Sequence, residues 1–257
     1  MRIVRFTPGP DAGLGQDPLF GVLEDDGVIS IISGDPIYSG IQKTAATIAL
    51  NKVRLLAPII PRSKVVCVGK NYADHAAEMG GVVPDEPIIF LKPNTSVIGP
   101  NDTIVWPEMS ERIDHEAELA IVIGRICKDV PKERVNDVIF GYTIANDVTA
   151  RDLQKKDGQW TRAKSFDTFC PIGPWVDTDF VPGTQKITAT IAGEVKQSAQ
   201  ISDMIFDVPT IINFVSRVMT LLPGDIILTG TPAGIGPMVA GQKATMAIEG
   251  LGELTNK

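Results

Sequence analysis

Short apolar runs broken by Gly, Pro and Asp dominate the chain, and their lengths predict strands more often than helices. In residues 1–60 these runs are Ile3–Phe6, Phe20–Leu23 and Val28–Ile32, which predict small antiparallel strands. Leu56–Arg62, LAPIIPR, carries two prolines that disfavour helix and sheet interior, so it reads as a linker. Beyond it, Lys64–Val68, Ile88–Leu91, Leu119–Ile123, Gly141–Ala145, Ile187–Ile191, Asp225–Leu228 and Ala244–Ile248 are β-rich. Helical spacing is rarer. It predicts a helix over Val208–Leu221, with Asp207 as N-cap, apolar residues at 208, 211, 212, 215, 218 and 219, and Pro223-Gly224 as the stop. A shorter helix is expected after Asp129, with Pro131 in its first turn. Strands and helices do not alternate, so the expected class is α+β and β-rich: a mixed β-roll over residues 61–257, preceded by a small strand-rich domain over 1–60.

Charge and composition narrow the function. A net charge of -7 argues against a nucleic-acid partner, which is held through clustered Lys and Arg. The amino terminus lacks an apolar signal region, and no stretch approaches the roughly 20 apolar residues a bilayer demands. A cytoplasmic protein without a membrane partner is therefore expected. Cys67, Cys127 and Cys170 are odd in number and widely spaced, which suits buried small hydrophobes better than disulfides or a zinc site. With only His75 and His115 available, any metal must be held mainly by oxygen.

Candidate oxygens are at hand. Asp114–Gly124, DHEAELAIVIG, puts Glu116 and Glu118 two apart at the start of a strand, so both carboxylates face one side. Such neighbours repel unless a cation lies between them. Asp147 follows another β run in IANDVTARD and could add a third carboxylate, the hard-cation pattern of Mg²⁺ or Mn²⁺. Spacing alone nonetheless favours a solvated strand edge whose charges discourage aggregation. His115, facing away from the two glutamates, reads as a packed or surface histidine.

In KVVCVGKNYADHAAEMG, a strand and turn lead to a short helix on which His75 and Glu78 share a face. That spacing describes a water-activating dyad or an ordinary surface pair. Gly69-Lys70 lacks the flanking residues of a phosphate loop. IILTGTPAGIG, over Ile226–Gly236, is either a tight turn or a loop whose N–H groups approach an anion.

Together the runs VGKNYADHAAE, IIFLKPNT, HEAELAIVIG, GYTIANDVTARDLQ, WTRAKSFDTFCPIGPW, LLPGDIILTGTPAGIG and GLGELTN resemble the fumarylacetoacetate hydrolase superfamily over about Lys64–Asn256. The first 60 residues match nothing specific. The resemblance implies that Glu116, Glu118 and Asp147 bind Mg²⁺ or Mn²⁺, and that His75 and Glu78 form a dyad on a lid helix. By the same resemblance Lys164 is an active-site lysine beside the metal, Arg151 and Gln154 contact substrate or position water, and Lys92 and Thr231 line the anion-binding side. It further implies a mixed β-roll, often a homodimer, acting on a small 2-oxo acid through a metal-bound enolate. Carbon–carbon cleavage is the expected outcome, as oxaloacetate decarboxylation or acylpyruvate hydrolysis. 2-Hydroxyhepta-2,4-diene-1,7-dioate isomerisation is the alternative, and a non-catalytic metabolite-binding protein on the same scaffold is a second.

Overall fold

In the computed structural model, which describes residues 1–257, the expected strands form within two residues of their anticipated bounds. Most join a 12-stranded sheet. Its path runs from Lys43–Ala49 through Val28–Ile32, Leu19–Leu23 and Arg2–Pro8 to Cys170–Asp177. It continues through Ile139–Asn146, Ala117–Ile123, Ile226–Leu228 and Val65–Gly69 to Ile88–Lys92. Pairing is mostly antiparallel, but Ile226–Leu228 runs parallel to Val65–Gly69, which makes the sheet mixed. The fold is α+β and β-rich, as expected.

The amino-terminal strands form an antiparallel meander joined to the rest by Arg2↔Asp177 and Ile3↔Val176. Leu56–Arg62 is irregular, as its prolines require. It is a packed connector rather than a loose linker: Ala57 and Ile59 are buried, and the Leu56 N–H donates to the Arg5 carbonyl at 2.8 Å.

A four-stranded sheet of Glu194–Gln200, Lys186–Ile191, Ala244–Ile248 and Gly252–Asn256 supplies the second large layer. Leu119, Ile121 and Ile144 of the main sheet, Ile187 and Met246 of the second, and Ile211 and Val215 of the long helix meet in one buried cluster. Burying each such side chain contributes about 1.5–3 kcal/mol against its exposed state. Thr149–Ala150, Ile113–His115 and Gly236–Pro237 form a small three-stranded sheet.

Two helical expectations need correction. The long helix spans Val208–Val218, with the Asp207 carboxylate accepting from the Thr210 N–H as foreseen, but it ends before Pro223-Gly224. Met219 is already extended (φ -144, ψ 150), because Leu221 exchanges two main-chain hydrogen bonds with Cys127. The segment after Asp129 is a 3₁₀ helix, Lys132–Asp137, with Pro131 at its N-cap. Asn213 and Ser216 of the long helix bind the Val130 carbonyl and N–H, so this chain segment is pinned at its start.

Candidate active site

Strand register brings the three carboxylates together. Ala117 faces Asn146 across the central pair, which sets Glu116 opposite Asp147, and the Asp147 N–H donates to the Glu116 carbonyl at 2.9 Å. Glu118 lies two residues along, on the same face. Its carboxylate accepts the Gly230 N–H at 2.6 Å. Gly230 has φ +98, and a Cβ there would lie 2.6 Å from the Asn71 Cβ, so glycine permits this approach. Oxygens of Glu116, Glu118 and Asp147 all fall within 4.8 Å of one another. The residues are 4 %, 1 % and 1 % exposed on an interior strand pair, which overturns the solvated-edge reading that spacing favoured.

Cations are arranged unevenly about this cluster. The Lys164 ammonium donates to Glu116 at 2.7 Å and to Asp147 at 2.6 Å, while Lys92 donates to the other Asp147 oxygen at 2.5 Å. Arg151 grips Asp114 and Glu116 and donates to the Gln154 side-chain oxygen at 2.6 Å. Burial alone would raise the Glu116 acid, but Lys164, Arg151 and His75 outweigh it and hold Glu116 well below the ordinary carboxylate range. Burial opposes the charge on Lys164 too, yet Asp147 and Glu116 push its pKa up. Glu118 has no such partner. Burial, with Asp147 and Glu116 adding repulsion, raises it well above normal. A buried all-oxygen cluster in which one carboxylate makes no ion pair fits a hard divalent cation.

The helix Ala73–Glu78 covers this centre. His75 is 5 % exposed, and its Nδ1 lies 3.2 Å from Glu78. Glu78 also accepts the Gly234 N–H at 3.2 Å, fastening the helix to the loop that carries Gly230 and Thr231. His75, the carboxylates, Arg151, Gln154, Lys164 and Thr231 line one cleft of about 30 Å³. Met79, Phe90 and Trp160 form its apolar wall.

One expected lining residue sits differently. Lys92 does not line the cleft; it is 1 % exposed and reaches Asp147 and the Val148 carbonyl from behind. Thr231 does line it, but its hydroxyl hydrogen is committed to the Ala117 carbonyl at 2.9 Å. His115 is buried and turned from the carboxylates toward Gly236, and burial lowers its pKa. Sequence reasoning missed Asp114, which orients Arg151, and Asn146, whose side-chain oxygen accepts the Glu116 N–H at 3.0 Å. It missed Asn71 as well, which ties the turn before the helix Ala73–Glu78 to Thr229 and Phe206. Asp114, Asn146 and Asn71 stand in the motifs already quoted, but their full burial is set by the fold and is not marked in the sequence.

Residues 64–257 match the fumarylacetoacetate (FAA) hydrolase C-terminal family. The chain belongs to the fumarylacetoacetate hydrolase family. Residues 1–58 match an Rv2993c-like N-terminal family, which corrects the expectation that they resemble nothing specific. Protein Rv2993c of Mycobacterium tuberculosis is 56% identical over 87% of this chain and 83% of its own length. Oxaloacetate tautomerase FAHD1, mitochondrial, of Arabidopsis thaliana is 47% identical over 75% of this chain and 89% of its own. Among solved structures, 2-hydroxyhepta-2,4-diene-1,7-dioate isomerase from Mycobacterium marinum superposes with TM-score 0.88 at 48% identity, covering 100% of this chain and 97% of that one. Maleylpyruvate hydrolase from Sphingobium sp. SYK-6, in complex with manganese (II) ion and pyruvate, gives TM-score 0.81 at 32% identity, covering 100% and 98%. Tautomerase, isomerase and hydrolase names among relatives of this similarity mark the chain as an enzyme.

Proposed function

We propose that the chain is a divalent-cation-dependent enzyme that moves a proton at C3 of a small 2-oxo acid, interconverting keto and enol forms. The observation that carries this reading is the meeting, in one buried cleft, of an oriented imidazole with three convergent carboxylates, of which Glu118 makes no ion pair. Glu116, Glu118 and Asp147 would hold a Mg²⁺ or Mn²⁺ ion, which would supply positive charge for the oxygens of the 2-oxo acid. Glu78 holds His75 by Nδ1, which leaves Nε2 to take the C3 proton. The same carboxylate then stabilises the imidazolium, and Nε2 returns the proton to oxygen or to carbon. Lys164 adds a fixed cationic donor toward the developing charge, a kind of contact that contributes about 3 kcal/mol. Arg151, locked by Asp114 and Glu116, orients Gln154 at the cleft wall.

Carbon–carbon cleavage is the second reading, and the 32% identical maleylpyruvate hydrolase favours it. There His75 would activate a water against the distal carbonyl of a 2,4-dioxo acid, or carbon dioxide would leave oxaloacetate. Relatives at 47% and 48% identity carry tautomerase and isomerase names, which is why proton transfer is placed first. Purified protein assayed with Mg²⁺, Mn²⁺ or EDTA separates the readings. The substrates are oxaloacetate, an acylpyruvate and an unsaturated 2-hydroxy diacid. Ion-dependent loss of enol absorbance without release of pyruvate supports proton transfer. Pyruvate formation supports cleavage, and no turnover on any substrate defeats both.

A further inference from the structure

Glu116 and Glu118 flank Ala117, so the orientation of its main chain bears on how both carboxylates aim. On one side it faces Asn146 of Ile139–Asn146, but on the other the strand Ile226–Leu228 does not hold it. Pairing with Ile226–Leu228 ends at Ala120↔Leu228, and beyond Thr229, which donates to the Leu119 carbonyl at 3.1 Å, the chain turns away as a loop. Two buried side chains take over. The Ala117 N–H donates to Gln197 Oε1 at 2.9 Å, Gln197 Nε2 donates to Thr231 Oγ1 at 2.7 Å, and Thr231 Oγ1 donates to the Ala117 carbonyl at 2.9 Å. The ring is closed. A second hydrogen on Gln197 Nε2 goes to the Pro232 carbonyl at 2.7 Å, so reversing the amide would set N–H against N–H and oxygen against oxygen. Gln197 is 0 % and Thr231 2 % exposed, leaving no water to replace a lost partner.

Gln197 is the only residue of this ring outside the strand and loop that carry the site, and it belongs to the second sheet. Its neighbour Lys196 backs the same loop: a Cβ on Gly234 would lie 2.0 Å from the Lys196 carbonyl oxygen. Gly234 in turn holds Glu78. The second sheet thus braces both the carboxylate strand and the anchor of the helix Ala73–Glu78.

We propose that Gln197 and Thr231 are positioning residues. Their side chains act as a substitute strand partner for Ala117 and set the mutual aim of Glu116 and Glu118, so that divalent-ion affinity depends on them although neither is a carboxylate. This rests on the cation-binding reading above. Thr231 accordingly offers a ligand no hydroxyl hydrogen.

Mn²⁺ titration calorimetry on EDTA-stripped protein, with thermal melts of the same samples, tests the inference. Thr231→Val and Gln197→Glu remove the hydroxyl or the amide hydrogens at nearly constant size. Each should weaken Mn²⁺ binding by about 10 to 100-fold, as loss of an outer partner does. The double variant should be little worse than the weaker single one, because either change opens the same ring. Thr231→Ser should restore wild-type affinity. If Gln197→Glu does not fold, the contrast between Thr231→Val and Thr231→Ser makes the same decision. Folded variants that melt lower yet bind Mn²⁺ like wild type overturn the positioning role and leave the ion site standing. Wild-type protein that takes up no Mn²⁺ overturns both.

Discussion

Lys164 places its ammonium 2.6 Å from the Asp147 carboxylate, and the same nitrogen serves Glu116 at 2.7 Å. Lys164→Met leaves two buried carboxylates without that cation. Stability of the ion-free protein should fall by about 3–5 kcal/mol in urea unfolding, the usual result of removing one partner from a buried pair. Turnover should fall by about 10²- to 10³-fold even with the ion supplied. An unchanged kcat would take Lys164 out of the chemistry.

Glu118 is the carboxylate without a cationic partner. Mn²⁺ at about 100 times its Kd should stabilise the wild-type protein by about 2.7 kcal/mol, and EDTA should reverse the gain. Glu118→Gln should shrink this response. A variant melting curve that rises with Mn²⁺ as much as the wild type would exclude Glu118 from the ligand set.

Lys92 approaches Asp147 from the side away from the cleft. Lys92→Met should therefore cost about 3–5 kcal/mol of stability while KM at saturating Mn²⁺ stays near the wild-type value. The opposite pattern, a raised KM with unaltered unfolding, would return Lys92 to the substrate.

Gly234 has φ +96, and a Cβ would meet the Lys196 carbonyl oxygen. Gly234→Ala should destabilise the protein by more than about 1 kcal/mol, since alanine resists that conformation. Its N–H also anchors Glu78, so amide exchange in Ala73–Glu78 should speed up and kcat/KM should drop. Unaltered exchange there would show that the helix is held by something else.

Burial raises the thiols of Cys67 and Cys170, the latter to about 12, and raises Cys127 as well. The reactive thiolate is then scarce in the folded protein from pH 7 to 9. A thiol reagent should label at most the half-buried Cys127 in native protein and all three cysteines after unfolding. Rapid native labelling of Cys67 or Cys170 would contradict the packing described.

Strand positions were legible because burial on both faces leaves a continuous apolar run, as in Leu119–Ile123, and turn residues bound it. The end of the long helix was not, because a pairing of Leu221 with Cys127, distant in sequence, draws the chain out of helix before any stop residue. Glu116, Glu118 and Asp147 could be named from motif and resemblance. Their spacing alone pointed the wrong way, toward an exposed edge, since period-two alternation looks the same whether the polar face meets water or a buried cleft.

By itself the sequence determined the family, the β-rich class and the chemical identity of the candidate groups, because these are carried by local patterns and by the residue types themselves. Only the tertiary structure decided which strands flank Ala117–Ile123, that Lys92 stands behind Asp147 and that Gln197 completes a ring around Ala117. Those relationships join segments up to 114 residues apart, as between Ala117 and Thr231, and rest on hydrogen bonds whose partners no local pattern specifies.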